Sequence, residues 1–339
     1  MRVLPAISTL SLMFTILTFP SLQKAKASEW TEIKPGGATA CARGDDYAFF
    51  VSPGSSNKVI IDFIGGGACW SAETCAKESA TFNDNIDVLR RRRDEGQLKG
   101  IYNRENSQNP LKDWNHIIVP YCTGDIHWGN NVVEYTKRDG STFNINHKGG
   151  INTQAVLRWA KQNFAETDQV VVTGCSAGSY GSIYWSPYIR ELFPEARFKQ
   201  IGDSGIGIIT ESFFQESFPK WNALDLAPTW IPNLDPRVVD WTKLTLSDIY
   251  HFFGTHYRNS TFAQFTSAFD DNQTFYYELM GGLPEEWSPK MFASINKISK
   301  NTNNFKSYIG PGTEHCIFPY DEDRKSTRLN SSHQIISYA

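Results

Sequence analysis

Short β-branched apolar runs alternate along this chain with stretches of helical spacing. Lys58 to Ile64 (KVIIDFI), Asn115 to Tyr121 (NHIIVPY) and Asp168 to Gly174 (DQVVVTG) each read as a buried strand. Between the last two, Ile151, Ala155, Val156, Trp159 and Ala160 recur at helical spacing, which predicts a helix over Lys148 to Ala165 with one face on a sheet. Ser176 to Leu192 predicts another helix, and Phe198 to Gly202 and Phe305 to Ile309 predict further strands. This alternation implies an α/β fold, a mostly parallel sheet with helices on both faces, whose sites form beyond the carboxyl ends of the strands. Phe213 to Ser260 is rich in Trp, Pro and Phe and poor in strand signals, which predicts a helical insertion over the site.

The first segment departs from this pattern. Arg2 precedes an apolar stretch from Val3 to Leu22, followed by Ala25-Lys26-Ala27, the small-x-small pattern of a cleavage site. Pro5, Pro20 and several hydroxyl residues make an uncleaved anchor the poorer reading, so residues 1–27 are expected to be a signal peptide and the protein secreted or periplasmic. No later segment is apolar and long enough to suggest membrane insertion. The six cysteines all follow this segment, and an even count in an exported chain suggests three disulfides, though six cysteines allow fifteen pairings. The formal net charge of -3 over 339 residues, without a basic concentration, argues against nucleic acid as a partner. Arg90 to Arg93 is followed by Asp94 and Glu95 and reads as a solvated helix end.

Candidate chemistry enters at Gly174-Cys175-Ser176-Ala177-Gly178, a G-x-S-x-G run placed between a predicted strand and a predicted helix. That context suits a nucleophile elbow, in which a sharp turn with small neighbours holds a serine above the sheet. Serine needs a general base, usually a histidine oriented by a carboxylate. Of seven histidines, His116 falls in a strand, His147 opens a helix, His251 and His256 belong to the insertion and His333 to the far end. In the order serine, acid, histidine, His315 in Gly312-Thr313-Glu314-His315-Cys316 is the expected base. Asp203 and Asp270 stand out as acids; Asp203 follows the nucleophile strand closely and reads as a brace for the elbow, and Asp271 rivals Asp270 one residue out of phase. Ala177 and Gly67 or Ala68, in the glycine run after the first strand, are the expected oxyanion-hole donors. G-x-G-x-x-G is not completed there, and no zinc-ligand spacing occurs, so neither cofactor nor metal is expected.

GGGACW (Gly65 to Trp70), YCTGDIHWG (Tyr121 to Gly129), GCSAGSYG (Gly174 to Gly181), GDSG (Gly202 to Gly205), SAFD (Ser267 to Asp270) and GTEHC (Gly312 to Cys316), in this order, resemble the pectin acetylesterase family, which includes the Notum carboxylesterases. The resemblance runs from about Trp30 to Tyr320 and implies an α/β-hydrolase fold, hydrolysis of an O-acyl ester and catalysis by Ser176, Asp270 and His315. It favours Asp270 over Asp271. Ala68 stands where the resemblance would place a tryptophan, which implies a smaller pocket wall. Trp70, Asp125, His127 and Trp128 are expected near the substrate pocket, with turn capping and core packing as the alternative for the last three.

Cys175 adjoins the expected nucleophile and Cys316 the expected base, so a bridge between them would tie the two loops, as fungal tannases and feruloyl esterases do on a distinct sequence. The expected pairs are Cys175 with Cys316, Cys69 with Cys75 locally, and Cys41 with Cys122 by elimination. Asp323 to Ala339 back-translates to something close to a sequencing adapter and is expected to be non-native, leaving 28–322 as one esterase domain. The expected protein is a monomeric secreted serine esterase acting on short, acetyl-type esters, with acetylated polysaccharide as one substrate class. A longer-acyl or polyester hydrolase and a noncatalytic carbohydrate or lipid binder are the alternatives.

Overall fold

A computed structural model describes residues 30–321. The expected signal peptide and the 323–339 tail lie outside them. The strands are β1 (Thr31–Ile33), β2 (Phe49–Ser52), β3 (Lys58–Phe63), β4 (Asn115–Val119), β5 (Asn131–Thr136), β6 (Thr142–His147), β7 (Gln169–Cys175), β8 (Arg197–Asp203), β9 (Thr261–Ser267) and β10 (Phe305–Gly310). The helices are α1 (Ala72–Cys75), α2 (Asp87–Asp94), α3 (Gly149–Asn163), α4 (Ala177–Leu192), α5 (Glu211–Trp221), α6 (Leu246–His256), α7 (Asp271–Leu279) and α8 (Pro284–Asn301).

Eight strands form one sheet in the order β1-β2-β4-β3-β7-β8-β9-β10. From β4 to β10 all neighbours are parallel, while β1 and β2 close one edge antiparallel. Val59, Ile60, Ile61 and Phe63 in β3 and Val170 and Val172 in β7 are fully buried, as expected of parallel strands covered on both faces. α4 lies against β3, β7 and β8, and it comes so close that a Cβ at Gly178 would collide with the carbonyl of Phe63.

Register positions the site. Phe63 faces Gly174 across β3 and β7, Cys175 faces Asp203 across β7 and β8, and Ser267 faces Gly310 across β9 and β10. The loops after these strands, carrying Gly65–Ala68, Ser176, Asp270 and His315, therefore leave the same side of the sheet, where Asp203 ends β8. All three disulfides form with the expected pairing, Cys41–Cys122, Cys69–Cys75 and Cys175–Cys316.

Two sequence expectations need correcting. His147 ends β6 rather than opening a helix; its Nδ1 bonds the Thr123 carbonyl and its Nε2 the Tyr135 hydroxyl, each at 2.9 Å. The arginine run of α2 is not wholly solvated, because Arg90 and Arg93 both pair with Glu32 of β1 and Arg93 lies over the Phe50 ring. Those contacts fasten the helix to the antiparallel edge.

Candidate active site

Ser176 sits between β7 and α4 with φ 58° and ψ -123°, a strained conformation for a residue with a Cβ. Its N–H donates to the Asp203 carbonyl at 2.8 Å, and a Cβ at Gly65 would meet its own Cβ at 2.8 Å. Only a glycine leaves that turn room. The strain presents the hydroxyl at the mouth of a cavity, as a nucleophile elbow requires.

His315 Nδ1 lies 2.9 Å from Asp270 Oδ1 and 3.0 Å from Oδ2. An ionised carboxylate only accepts, so Nδ1 carries the proton and Nε2 holds the lone pair. Nε2 is buried and makes no hydrogen bond among the described residues. The hydrogen bond from Ser176 to this nitrogen is therefore not formed here, and free enzymes commonly tighten that contact only around substrate. Asp270 is fully buried and caps α7: Oδ1 accepts the N–H groups of Asn272 and Gln273, and Oδ2 the Gln273 side-chain amide at 2.9 Å. Asp271, one position on, is exposed on the first turn. The Cys175–Cys316 bridge joins the neighbours of Ser176 and His315, with Cα atoms 5.8 Å apart.

The glycine loop is held from both sides. Gly66 accepts from Asn83 N–H at 2.8 Å, Ala68 accepts from the Thr81 hydroxyl at 2.7 Å, and Cys69 N–H donates to Gly124 at 2.9 Å. Gly67 has φ 78°, and a Cβ there would strike the Thr81 carbonyl and the Tyr276 hydroxyl. Tyr276 on α7, absent from the sequence expectations, donates to that same carbonyl and walls the cavity. Burial pushes its phenol up to about 12.

The cavity holds about 280 Å³. Ser176, Gly67, Ala68 and Ala177 form one end, and Ile208, Ile209, Phe213, Phe214, Leu246 and Ile249 supply an apolar wall from the segment after β8 and from α5 and α6. Phe213, Phe214, Leu246 and Ile249 come from the predicted insertion, and Ile208 and Ile209 precede it; which of them face the site depends on long-range packing that no local motif records.

Of the four expected pocket residues only Trp128 lines the cavity. Trp70 packs edge-on against Phe213 at 4.7 Å, one layer behind the wall. Asp125 is fully buried; it accepts from the Thr123 hydroxyl at 2.6 Å and from Gly149 N–H at 2.7 Å, so it braces a turn. Burial raises its carboxyl to about 6 against the pull of those bonds. His127 is wedged between Phe63 and Tyr121 with Nε2 on the Ile64 carbonyl at 2.9 Å, and burial lowers it to about 4. Asp125 thus caps a turn and His127 packs in the core.

Cys69 and Cys75 converge with His147, and Cys175 and Cys316 with His315, at distances suited to a metal. Both cysteine pairs are disulfides, so neither cluster has a thiolate to offer.

Comparison with known proteins agrees with this architecture. A family model described as pectinacetylesterase matches residues 26–223. Pectin acetylesterase 4 of Arabidopsis thaliana is 26% identical over 163 residues, covering 47% of this chain and 38% of the relative. The palmitoleoyl-protein carboxylesterase notum2 of Xenopus laevis is 26% identical over 174 residues, covering 49% and 33%. The chain thus spans well under half the length of these relatives. The solved structure of the Wnt deacylase Notum from Drosophila superposes with TM-score 0.59 at 16% identity, covering 87% of this chain and 84% of that one, which establishes a shared α/β-hydrolase fold.

Proposed function

The chain belongs to the pectinacetylesterase family, and from that premise we propose that it is an exported serine esterase that cleaves O-acyl esters. The observation that carries this reading is the convergence of strained Ser176 with the Asp270–His315 pair, the two loops joined by Cys175–Cys316.

Ser176 Oγ attacks the ester carbonyl carbon while His315 Nε2 accepts its proton. Asp270, bonded to Nδ1, orients the ring and stabilises the imidazolium. The oxyanion of the tetrahedral intermediate is met by the N–H of Ala177, at the start of α4, and by that of Gly67 or Ala68. His315 returns the proton to the departing alcohol, leaving an acyl-serine. Water attacks the acyl carbon, His315 takes the water's proton and then protonates Ser176 as the acid is released.

The cavity bears on acyl length. A cavity of about 280 Å³ is larger than an acetyl group needs. Its apolar wall supports medium-length acyl chains alongside acetyl, rather than acetyl alone. Three disulfides and the N-terminal sequence pattern support export.

Hydrolysis of p-nitrophenyl acetate, butyrate and octanoate by wild type and Ser176→Ala tests the reading. Turnover abolished by the substitution is the expected result. A wild type that hydrolyses none of these esters but retains a carbohydrate or lipid ligand would replace it with the noncatalytic binder.

A further inference from the structure

Asp203, at the end of β8, is a fully buried carboxylate that the mechanism above does not use. Register sets it beside Cys175, and its two ends serve different loops. Its main-chain carbonyl accepts the N–H of Ser176 at 2.8 Å, holding the strained residue from behind. Its Oδ2 accepts the N–H of Ile317 at 2.8 Å and of Phe318 at 3.0 Å, just beyond His315 and Cys316. Ser204, itself at φ 55°, extends the contact: its hydroxyl accepts the Cys316 N–H at 2.9 Å, and its own N–H donates to Phe265 in β9. One dipeptide thus touches the nucleophile backbone, consecutive amides of the histidine loop, and the strand leading to Asp270. Removing the acceptor would leave buried amides unpaired next to the base, which costs more than a typical bond contributes.

We propose that Asp203 is a positioning residue that latches the His315 loop onto the nucleophile elbow, in parallel with the Cys175–Cys316 bridge. This inference rests on the esterase reading. The disulfide limits how far the loop can drift; the carboxylate fixes the direction of the backbone from which the imidazole projects. Burial raises the Asp203 carboxyl to about 7, opposed by the amides of Phe318 and Ile317 and by His315, while Asp270 adds to the rise. Tyr102 is the further titratable group that senses its charge. As pH rises through about 7 the carboxylate ionises and grips the two amides more strongly, and its charge favours the imidazolium formed at His315. As pH falls, both effects fade. The latch therefore weakens as pH falls through about 7, which should add a loss of about tenfold to the acid side of the kcat profile.

The test compares wild type, Asp203→Asn and Asp203→Ala by kcat and KM across pH, by the rate at which a fluorophosphonate labels Ser176, and by near-ultraviolet circular dichroism. Asn keeps an acceptor for the amides but cannot ionise. It should lower kcat about tenfold at pH 8 with KM within about twofold, and remove the added loss on the acid side of the profile. Ala should lower kcat about a hundredfold, with labelling slowed in parallel. An Asp203→Asn protein with wild-type kcat and an unchanged acid limb overturns the latch; should the Ala variant not fold, the Asn variant decides alone. A wild type that neither labels nor hydrolyses any ester sinks the esterase reading, whereas a labelled wild type with an unaffected Asn variant sinks the latch only.

Discussion

Two regions face each other across Ser176, and they are built on different principles. The turns at the strand ends around the nucleophile are tied by all three disulfides and hold Gly67, Ser176, Ser204 and Cys316 at positive φ. The opposite wall, from Ile208 to Ile249, is made of rings and branched chains. In the first region each position needs one residue type, because a strained backbone or a buried hydrogen bond accepts few substitutes. In the second, volume and apolarity are the requirement, which several residues can meet. Chemistry is expected to fail sharply when the first region is altered, and selectivity to drift when the second is.

The largest effect tests the first half of that contrast. Ser176→Ala should cut kcat at least about 10⁴-fold while leaving the melting temperature close to wild type, since only a hydroxyl is removed. Replacing the bridge comes next. Cys175→Ala with Cys316→Ala opens a loop closed over 141 residues, and Cys69→Ala with Cys75→Ala one closed over 6. Loop-closure entropy gives about 5 kcal/mol for the first and about 2 kcal/mol for the second. Urea denaturation of the two double variants should rank them in that order, and only the first should also depress kcat. The reverse ranking would mean that the long bridge does not organise the site.

Buried histidines on the strand-end side set the next effect. His127 is lowered to about 4 and His147 to about 3, both by burial. A group depressed in the folded state contributes stability that is complete above its unfolded pKa of about 6.5 and is lost as pH falls toward the folded value. Each should remove on the order of 3 kcal/mol between pH 6.5 and 4. Asp125 and Asp203, raised to about 6 and about 7, act with the opposite sign: their burial penalty is relieved as pH falls toward 4. The four groups should therefore nearly offset one another between pH 6.5 and 4. His147→Gln should tip the balance so that stability rises as pH falls, measured as the urea midpoint against pH.

How much of this was legible in the sequence follows the same division. Ser176, Asp270 and His315 stand out because a strained turn, a strand-end acid and a glycine-rich histidine loop leave short local patterns. The parallel strands β3, β4 and β7 also stand out, because burial on both faces writes continuous apolar runs, while β8 and the edge strand β10 show through sparser apolar positions. The antiparallel edge does not: β1 spans only Thr31–Ile33 and is held by Arg90 and Arg93 from elsewhere in the chain. Nor does the hairpin of β5 and β6, whose NVVEYT and TFNINH are largely polar or exposed. Asp125 and His127 mislead for an instructive reason. A polar cluster after a strand has the composition of a site whether its side chains face a cavity or a turn, and only packing separates the two. Tyr276 was invisible because its role depends on the fold bringing α7 to Thr81, 195 residues away.

The smallest effect tests the second half of the contrast. Phe214 lines the cavity and stacks on Phe218 at 4.0 Å, so Phe214→Leu trims the wall without leaving a polar group unpaired. Leu246 lies on the same wall, and Leu246→Phe fills it. A methylene-scale change in an apolar pocket is worth about 1–3 kcal/mol of discrimination. The kcat/KM ratio for octanoate over acetate should therefore rise severalfold in the first variant and fall severalfold in the second, with stability changing by less than about 1.5 kcal/mol in each. Opposite shifts at constant acetate turnover would place acyl selection in this wall. Equal losses on both esters would instead mean that the wall supports the chemistry itself, and the two regions could no longer be treated as separate.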